Sequence, residues 1–226
     1  MTKGRKIVYV NGFDVQNLHD LEFGICERRN PDRAVMHASL YIPEGEIWID
    51  EAVKDETKFL LEVMDFEDRY LRADTDFRAF REVLKKEFSN PESFDLKKAT
   101  RRSYEKKGVP IREIDGGIVR KMLDPYFVLG GHHLVYSYIP KGEVWLDAKM
   151  SKEIKKYTLI HECVELALME RGANYSVAHD YATATEKEAR RRDGTYLASD
   201  EDFEKPKTGK ETIMEKLLAE QKEQKE

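Results

Sequence analysis

The sequence predicts an α+β fold in which one unit, a β-hairpin followed by helices, occurs twice. Three observations carry this expectation. The block Tyr41-Ile42-Pro43-Glu44-Gly45-Glu46-Ile47-Trp48-Ile49-Asp50 returns as Tyr138-Ile139-Pro140-Lys141-Gly142-Glu143-Val144-Trp145-Leu146-Asp147, identical at seven of ten positions and holding both tryptophans of the chain. Upstream, Gly12-x-x-Val15 ahead of Asp20 and Phe23 resembles Gly116-x-x-Val119 ahead of Asp124 and Phe127. A helical pattern follows each block. Self-similarity of this kind organises a chain before any motif does. It places a first copy over 5–95 and a second over 112–195, with a longer loop in the first near Cys26 to Arg33.

Each element has a local reason. Apolar alternation around a Pro-x-Gly turn reads as a hairpin whose second strand lies at 46–50 or 143–147. The helical period then continues over 53–72 and 152–171, and further helices are expected at 75–88 and 177–192. Gly172 stands where a helix C-cap belongs, and Ser176 is a good N-cap for the helix that follows. Residues 96–111, rich in Lys and Arg from Lys97 to Lys107, read as a basic linker between the copies. Residues 205–226 begin with Pro206 and Gly209. They then place Ile213, Met214, Leu217 and Leu218 on one face of a charged amphipathic tail helix that would dock on this chain or a partner.

Composition excludes several classes. A chain of 226 residues with 40% apolar side chains can bury a sizeable core. No apolar run approaches the length of a membrane span, and Ile7-Val8-Tyr9-Val10 is too short for a signal-peptide core. Two cysteines cannot form a disulfide framework, so a reducing cytoplasm is expected, either the host cytoplasm or a virion if the protein is viral. A net charge of −5 argues against a whole-surface nucleic-acid binder; Lys97–Lys107 and Arg190-Arg191-Arg192 are the stretches that would carry such a function. Charged residues make up 37% while Asn and Gln together number eight, a Lys/Glu-rich balance compatible with a thermophilic source or an ordinary charged surface.

One stretch carries candidate chemistry. In Leu159-Ile160-His161-Glu162-Cys163-Val164-Glu165, residues four apart share a helical face. His161 and Glu165 therefore point the same way, and Glu162 is offset by roughly 100°. The spacing is that of a His-Glu-x-x-His metallopeptidase helix with Glu165 in the place of the second His. The next helix presents Ala178, His179, Ala182, Thr183, Glu186 and Ala189 on one face, where three alanines allow close approach. Packed antiparallel, the two helices would bring His161 and Glu165 to His179, with Glu186 as a fourth metal ligand or a partner behind the ligands. Two imidazoles and a carboxylate suit zinc with an open position, and a richer carboxylate set also admits iron or manganese. Glu162 is then the catalytic general base. The alternative on the same residues is a metal-free hydrogen-bonded His/Glu network holding the helices in register.

The order Glu143-Val144-Trp145-Leu146-Asp147, then Lys155-Lys156-Tyr157-Thr158-Leu159-Ile160-His161-Glu162, resembles the minimal zincin pattern, in which an edge strand leads by a short connection into the metal-binding helix. The second copy also resembles uncharacterised phage and prophage proteins over residues 138–190. The shared elements are Tyr138-Ile139-Pro140, Val144-Trp145-Leu146-Asp147, His161/Glu162/Glu165, Gly172-x-x-Tyr175, Ala178-His179 and Glu186. The resemblance implies a zincin-like second copy, with His161 and Glu165 as ligands, Glu162 as base, and a protein or peptide as substrate or binding partner. The rival class is non-enzymatic, a virion component or a factor that binds a host target. The first copy reads Phe59-Leu60-Leu61-Glu62-Val63-Met64 at the matching helix and has no histidine there; its His19 and His37 precede the hairpin. His132 and His133, after Gly130-Gly131, could line a cleft shaped by the two copies but are read first as turn or strand packing, and Cys163 as a small buried hydrophobe.

Overall fold

The computed structural model describes residues 2, 4–29, 39–70 and 75–197. The expected tail helix at 205–226, and His37, lie outside the described residues. The architecture is α+β. Strand β1 (Lys6–Val10) leads through helix α1 (Gly12–Leu18) to β2 (Cys26–Arg28) and β3 (Glu46–Asp50). A 3-10 turn at Glu51–Glu56 continues into α2 (Thr57–Tyr70), and α3 (Phe77–Phe88) follows. The chain then forms short α4 (Leu96–Ala99), β4 (Thr100–Lys106), β5 (Val109–Ile114), α5 (Gly116–Met122), β6 (Gly130–His132) and β7 (Val144–Asp147). Helices α6 (Lys152–Glu170) and α7 (Tyr175–Arg192) close the described chain. No helix among the described residues is long and apolar enough to cross a membrane.

Two mixed sheets share a plan. In the first, β3 is central, with β1 parallel on one side and β2 antiparallel on the other. In the second, β7 has β5 parallel and β6 antiparallel, and β4 extends the sheet beyond β5. The repeated decapeptide supplies the central strand each time, which is why Ile47, Ile49, Val144, Trp145 and Leu146 are completely buried. One cluster of Ile25, Ile47, Ile49, Val53, Leu60, Met64, Met150 and Ile154 joins the first sheet to α2 and to the start of α6.

Three expectations are corrected. Residues 41–42 and 138–139 are turns rather than strands, so no hairpin folds about the Pro-x-Gly turn. The antiparallel partner of each central strand lies further upstream, in β2 or β6. Gly45 and Gly142 hold φ of +82° and +81°, where an L side chain would be strained, and the turns feed the central strands through Glu46 N–H to Pro43 O and Glu143 N–H to Pro140 O. Second, residues 96–111 are no linker: α4 and β4 occupy them, and β4 pairs antiparallel with β5 across Lys107-Gly108. Third, β7 is an interior strand, and β6 is the edge nearest the site.

Candidate metal centre

Helix α6 begins where Ser151 Oγ accepts the Ile154 N–H at 3.1 Å. Its Ile154, Tyr157, Leu159 and Leu166 are buried, which fixes the rotation that turns His161 and Glu165 toward α7. The helix ends in a glycine cap: Gly172 has φ +94°, its N–H bonds Met169 O, and the Ala173 N–H bonds Leu168 O. The connection is short enough that α7 returns antiparallel. Its N-cap is Asn174, whose Oδ1 accepts the Val177 N–H at 3.0 Å, two residues before the expected Ser176. Ala178 and Ala182 are fully buried and Ala189 nearly so, the close approach their small side chains predict.

The approach brings three ligand atoms together. His161 Nε2 lies 3.1 Å from His179 Nδ1. Glu165 Oε2 lies 2.8 Å from His179 Nδ1 and 3.5 Å from His161 Nε2. Tetrahedral donors with bonds of 2.0–2.1 Å to a zinc-sized ion stand about 3.3 Å from one another. This group could hold a metal ion, and so, on distance alone, could His132, Glu162 and Glu165.

The far nitrogens decide whether the near ones fit. His161 Nδ1 faces Glu186 Oε2 at 3.3 Å, and His179 Nε2 faces Glu22 Oε2 at 3.4 Å. An ionised carboxylate only accepts, and each imidazole has one on either side, Glu165 inward and Glu186 or Glu22 outward; with its proton on the far nitrogen a neutral imidazole turns a lone pair inward. In that tautomer two imidazole lone pairs and a carboxylate oxygen face one another, a place that a cation or added protons would fill. Without an ion, protons fill it. Burial alone would lower the His161 imidazole, but Glu165 and Glu186 outweigh it and raise it to about 10. Glu165 and then Glu22 raise His179 to about 9. Burial would lift the Glu165 carboxyl, yet His132, His161 and His179 hold it far below the ordinary range. An ion entering the cluster would displace those protons.

Of the two places expected for Glu186, among the ligands or behind them, the geometry favours the second. Its Oε1 accepts from Arg190 Nε at 2.9 Å and from Nη2 at 2.7 Å, and only Oε2 reaches His161, at the nitrogen pointing away from the cluster. It stands behind His161 rather than among the three atoms that could hold an ion. Glu162 lines the same cleft, has no hydrogen-bond partner among the described residues, and has its carboxyl pushed up to about 7 by burial against the attraction of His161, with the charge of Glu165 adding to the rise. The cleft measures about 380 Å³ and runs from this cluster past Val128 and Leu129 to Leu60, Val63 and Met64 of α2. Cys163 is half-buried against the cluster of Ile111, Val144 and Leu146.

Two residues at the centre were not among the expected site residues. Glu22 comes from the turn after α1, 157 residues from His179, and also accepts from Thr183 Oγ1 at 3.1 Å. His132 comes from β6 and reaches Glu165 Oε1 through Nε2 at 3.0 Å, correcting its assignment to packing. The signal that could have found it is Gly130-Gly131. A Cβ on Gly130 would lie 2.9 Å from Thr158 Cγ2 of α6, and one on Gly131 would lie 2.3 Å from the Tyr136 ring. Paired glycines in a strand mark such a close approach. Comparison of the chain with protein-family models, with curated proteins and with solved structures found no match.

Proposed function

We propose that the chain is a zincin-like metal-binding protein acting as a metal-dependent peptidase of phage or mobile-element type. The observation that carries this reading is the convergence of His161 Nε2, His179 Nδ1 and Glu165 Oε2, each imidazole backed by a carboxylate, at the end of a cleft that also holds Glu162. Two imidazoles and one carboxylate suit zinc, and the same set admits iron or manganese. When bound, such a cation supplies Lewis-acid polarisation of a carbonyl and acidifies water.

The chain's own residues do the rest. His161, Glu165 and His179 would hold the ion at the end of the cleft. Glu162, next to His161 in sequence but unbonded among the described residues, accepts the proton of the attacking water and returns it to the leaving amine. Glu186 and Glu22 keep the two imidazoles in the tautomers that coordinate. The phage-type assignment draws on the order of motifs over residues 138–190, and a reducing cytoplasm as the setting draws on two cysteines that are both free thiols.

The test is metal content by mass spectrometry on protein purified without a nickel column, followed by peptide-library digestion. Wild type should carry about one zinc per chain, and His161→Ala and Glu165→Ala should carry none. Glu162→Gln should keep the zinc and lose about 10²–10⁴-fold in hydrolysis, the range a positioned general base contributes. A folded wild type that holds no metal and refuses added zinc would sink the proposal and leave a hydrogen-bonded His/Glu network in its place.

A further inference from the structure

We infer that His132 is a tautomer-locked hydrogen-bond donor that restricts Glu165 to a single coordinating oxygen, so that the cluster takes one divalent cation and not two. The inference rests on the metal-binding reading above and adds a positioning residue to it.

The need for it arises from Glu165. Its Oε2 faces His161 and His179, and its Oε1 faces His132. With Glu162 alongside, His132 and Glu165 bring three possible ligand atoms within 4.8 Å of one another. On distances alone this is a second metal site sharing a bridging carboxylate with the first, the arrangement of two-metal hydrolases.

Hydrogen bonding separates the two groups. His132 is completely buried, and its Nδ1 accepts the backbone N–H of Leu134 at 3.3 Å. A backbone amide can only donate, so Nδ1 carries the lone pair and the single imidazole proton sits on Nε2, aimed at Glu165 Oε1. A cation bound at Nε2 would drive that proton to Nδ1 and set two N–H groups head to head. At His161 and His179 the group behind the ring is a carboxylate, which can accept the proton of the outward nitrogen, Nδ1 of His161 and Nε2 of His179, and leave the inward nitrogen its lone pair. The same residue type is therefore a ligand where an acceptor backs it and a donor where an amide backs it.

The consequence is geometric. A carboxylate with one oxygen held by an N–H coordinates through the other alone, and a one-oxygen Glu165 leaves a position free for water beside Glu162. Outer hydrogen bonds of this kind typically contribute 10–100-fold to metal affinity.

The experiment compares wild type, His132→Leu and His132→Gln as full chains. Zinc binding is measured by competition with a chromophoric chelator, X-ray absorption counts the imidazoles around bound zinc, and urea unfolding of the metal-free proteins is followed alongside. Wild type should bind one zinc with two imidazoles. His132→Leu should bind one zinc, still with two imidazoles, about 10–100-fold more weakly. His132→Gln, whose amide can donate to Oε1, should recover most of that loss. Two zinc ions per wild-type chain, or three imidazoles around one, would make His132 a ligand and overturn the inference. So would equal zinc affinity in wild type and His132→Leu, since a purely structural role moves only the metal-free unfolding curve. Should His132→Leu fail to fold, the wild-type imidazole count and His132→Gln still decide. A folded wild type that binds no zinc overturns the metal reading itself, and is recognised before any variant is made.

Discussion

Glu165 and Glu186 are both carboxylates within reach of His161, and what lies behind them assigns their roles. Glu186 is pinned by Arg190, which is fully buried, stacked 4.4 Å over the Tyr157 ring, and held in turn by Asn17 Oδ1 at 3.0 Å and Gln16 Oε1 at 2.8 Å. An oxygen pair neutralised by guanidinium is a poor ligand and a good acceptor for His161 Nδ1. Glu186→Gln should therefore keep one metal per chain and weaken its binding about 10–100-fold, as loss of an outer-shell partner does. Equilibrium dialysis against radioactive zinc distinguishes this from complete loss, which would restore Glu186 to the ligand set. Helical spacing made His161, Glu165, His179 and Glu186 legible as neighbours, because periodicity reports which face a side chain shares. It cannot report which end of an imidazole a carboxylate will meet. Nor can it bring in His132 and Glu22, which arrive from a strand and a turn by tertiary packing alone.

The centre depends on how closely α7 lies against α6, and that is set at the scale of the helix pair. Ala178 and Ala182 have no exposed surface, so a larger side chain at either must push the helices apart. Ala182→Leu should destabilise the fold by about 1–3 kcal/mol, the usual cost of overpacking. It should also weaken zinc binding, since His179 would move away from His161. Ala184→Leu, on the exposed face of α7, should change neither. Urea unfolding and zinc titration of the pair check this; equal behaviour of the two variants would mean that α7 tolerates a shift. Helices of strong period and clear capping were the most legible elements, as α6 and α7 illustrate. The strands were less so, for two physical reasons. Ile42 and Ile139 are buried beneath turns, and an apolar residue under a turn imitates strand alternation. Strand β4 does the reverse: most of its side chains are exposed, and Arg101, Arg102, Glu105 and Lys106 give it the look of a linker. Charged, solvated edges are how sheets avoid pairing with other chains, and they erase the alternation that would reveal them.

At the scale of the molecule, one buried ion cluster fastens the first sheet's connection to the second sheet. Arg120 of α5 has no exposed surface; it donates to both Glu56 oxygens at 2.8 Å and to Asp147 Oδ2 at 3.0 Å. Lys149 reaches Glu56 at 2.9 Å and Asp55 at 2.7 Å from the other side. Gly117 lets α5 come this near, since a Cβ there would lie 2.8 Å from the Glu56 carboxylate. Arg120→Met leaves two buried carboxylates without their guanidinium and should cost about 3–5 kcal/mol, the penalty for breaking a buried pair from one side. The same cluster should shape the acid limb of stability. Burial alone would raise the Glu56 carboxyl, but Arg120 and Lys149 hold it below its ordinary 4.5. A carboxyl lowered on folding adds stability that is fully present above its unfolded value and lost as pH falls through its folded one. Wild type should thus lose urea resistance below about pH 4.5, whereas Glu56→Gln, weaker at neutral pH, should lack that part of the decline. Parallel curves for the two proteins over the acid range would show that Glu56 does not gain its charge stabilisation from the fold. The outcome reaches the candidate metal centre too, because Gln16, Asn17 and Glu22 touch Arg190 and His179 from the first sheet's side. A chain loosened at Arg120 should bind zinc more weakly even though no ligand has changed, and zinc titration of Arg120→Met at neutral pH measures that coupling directly.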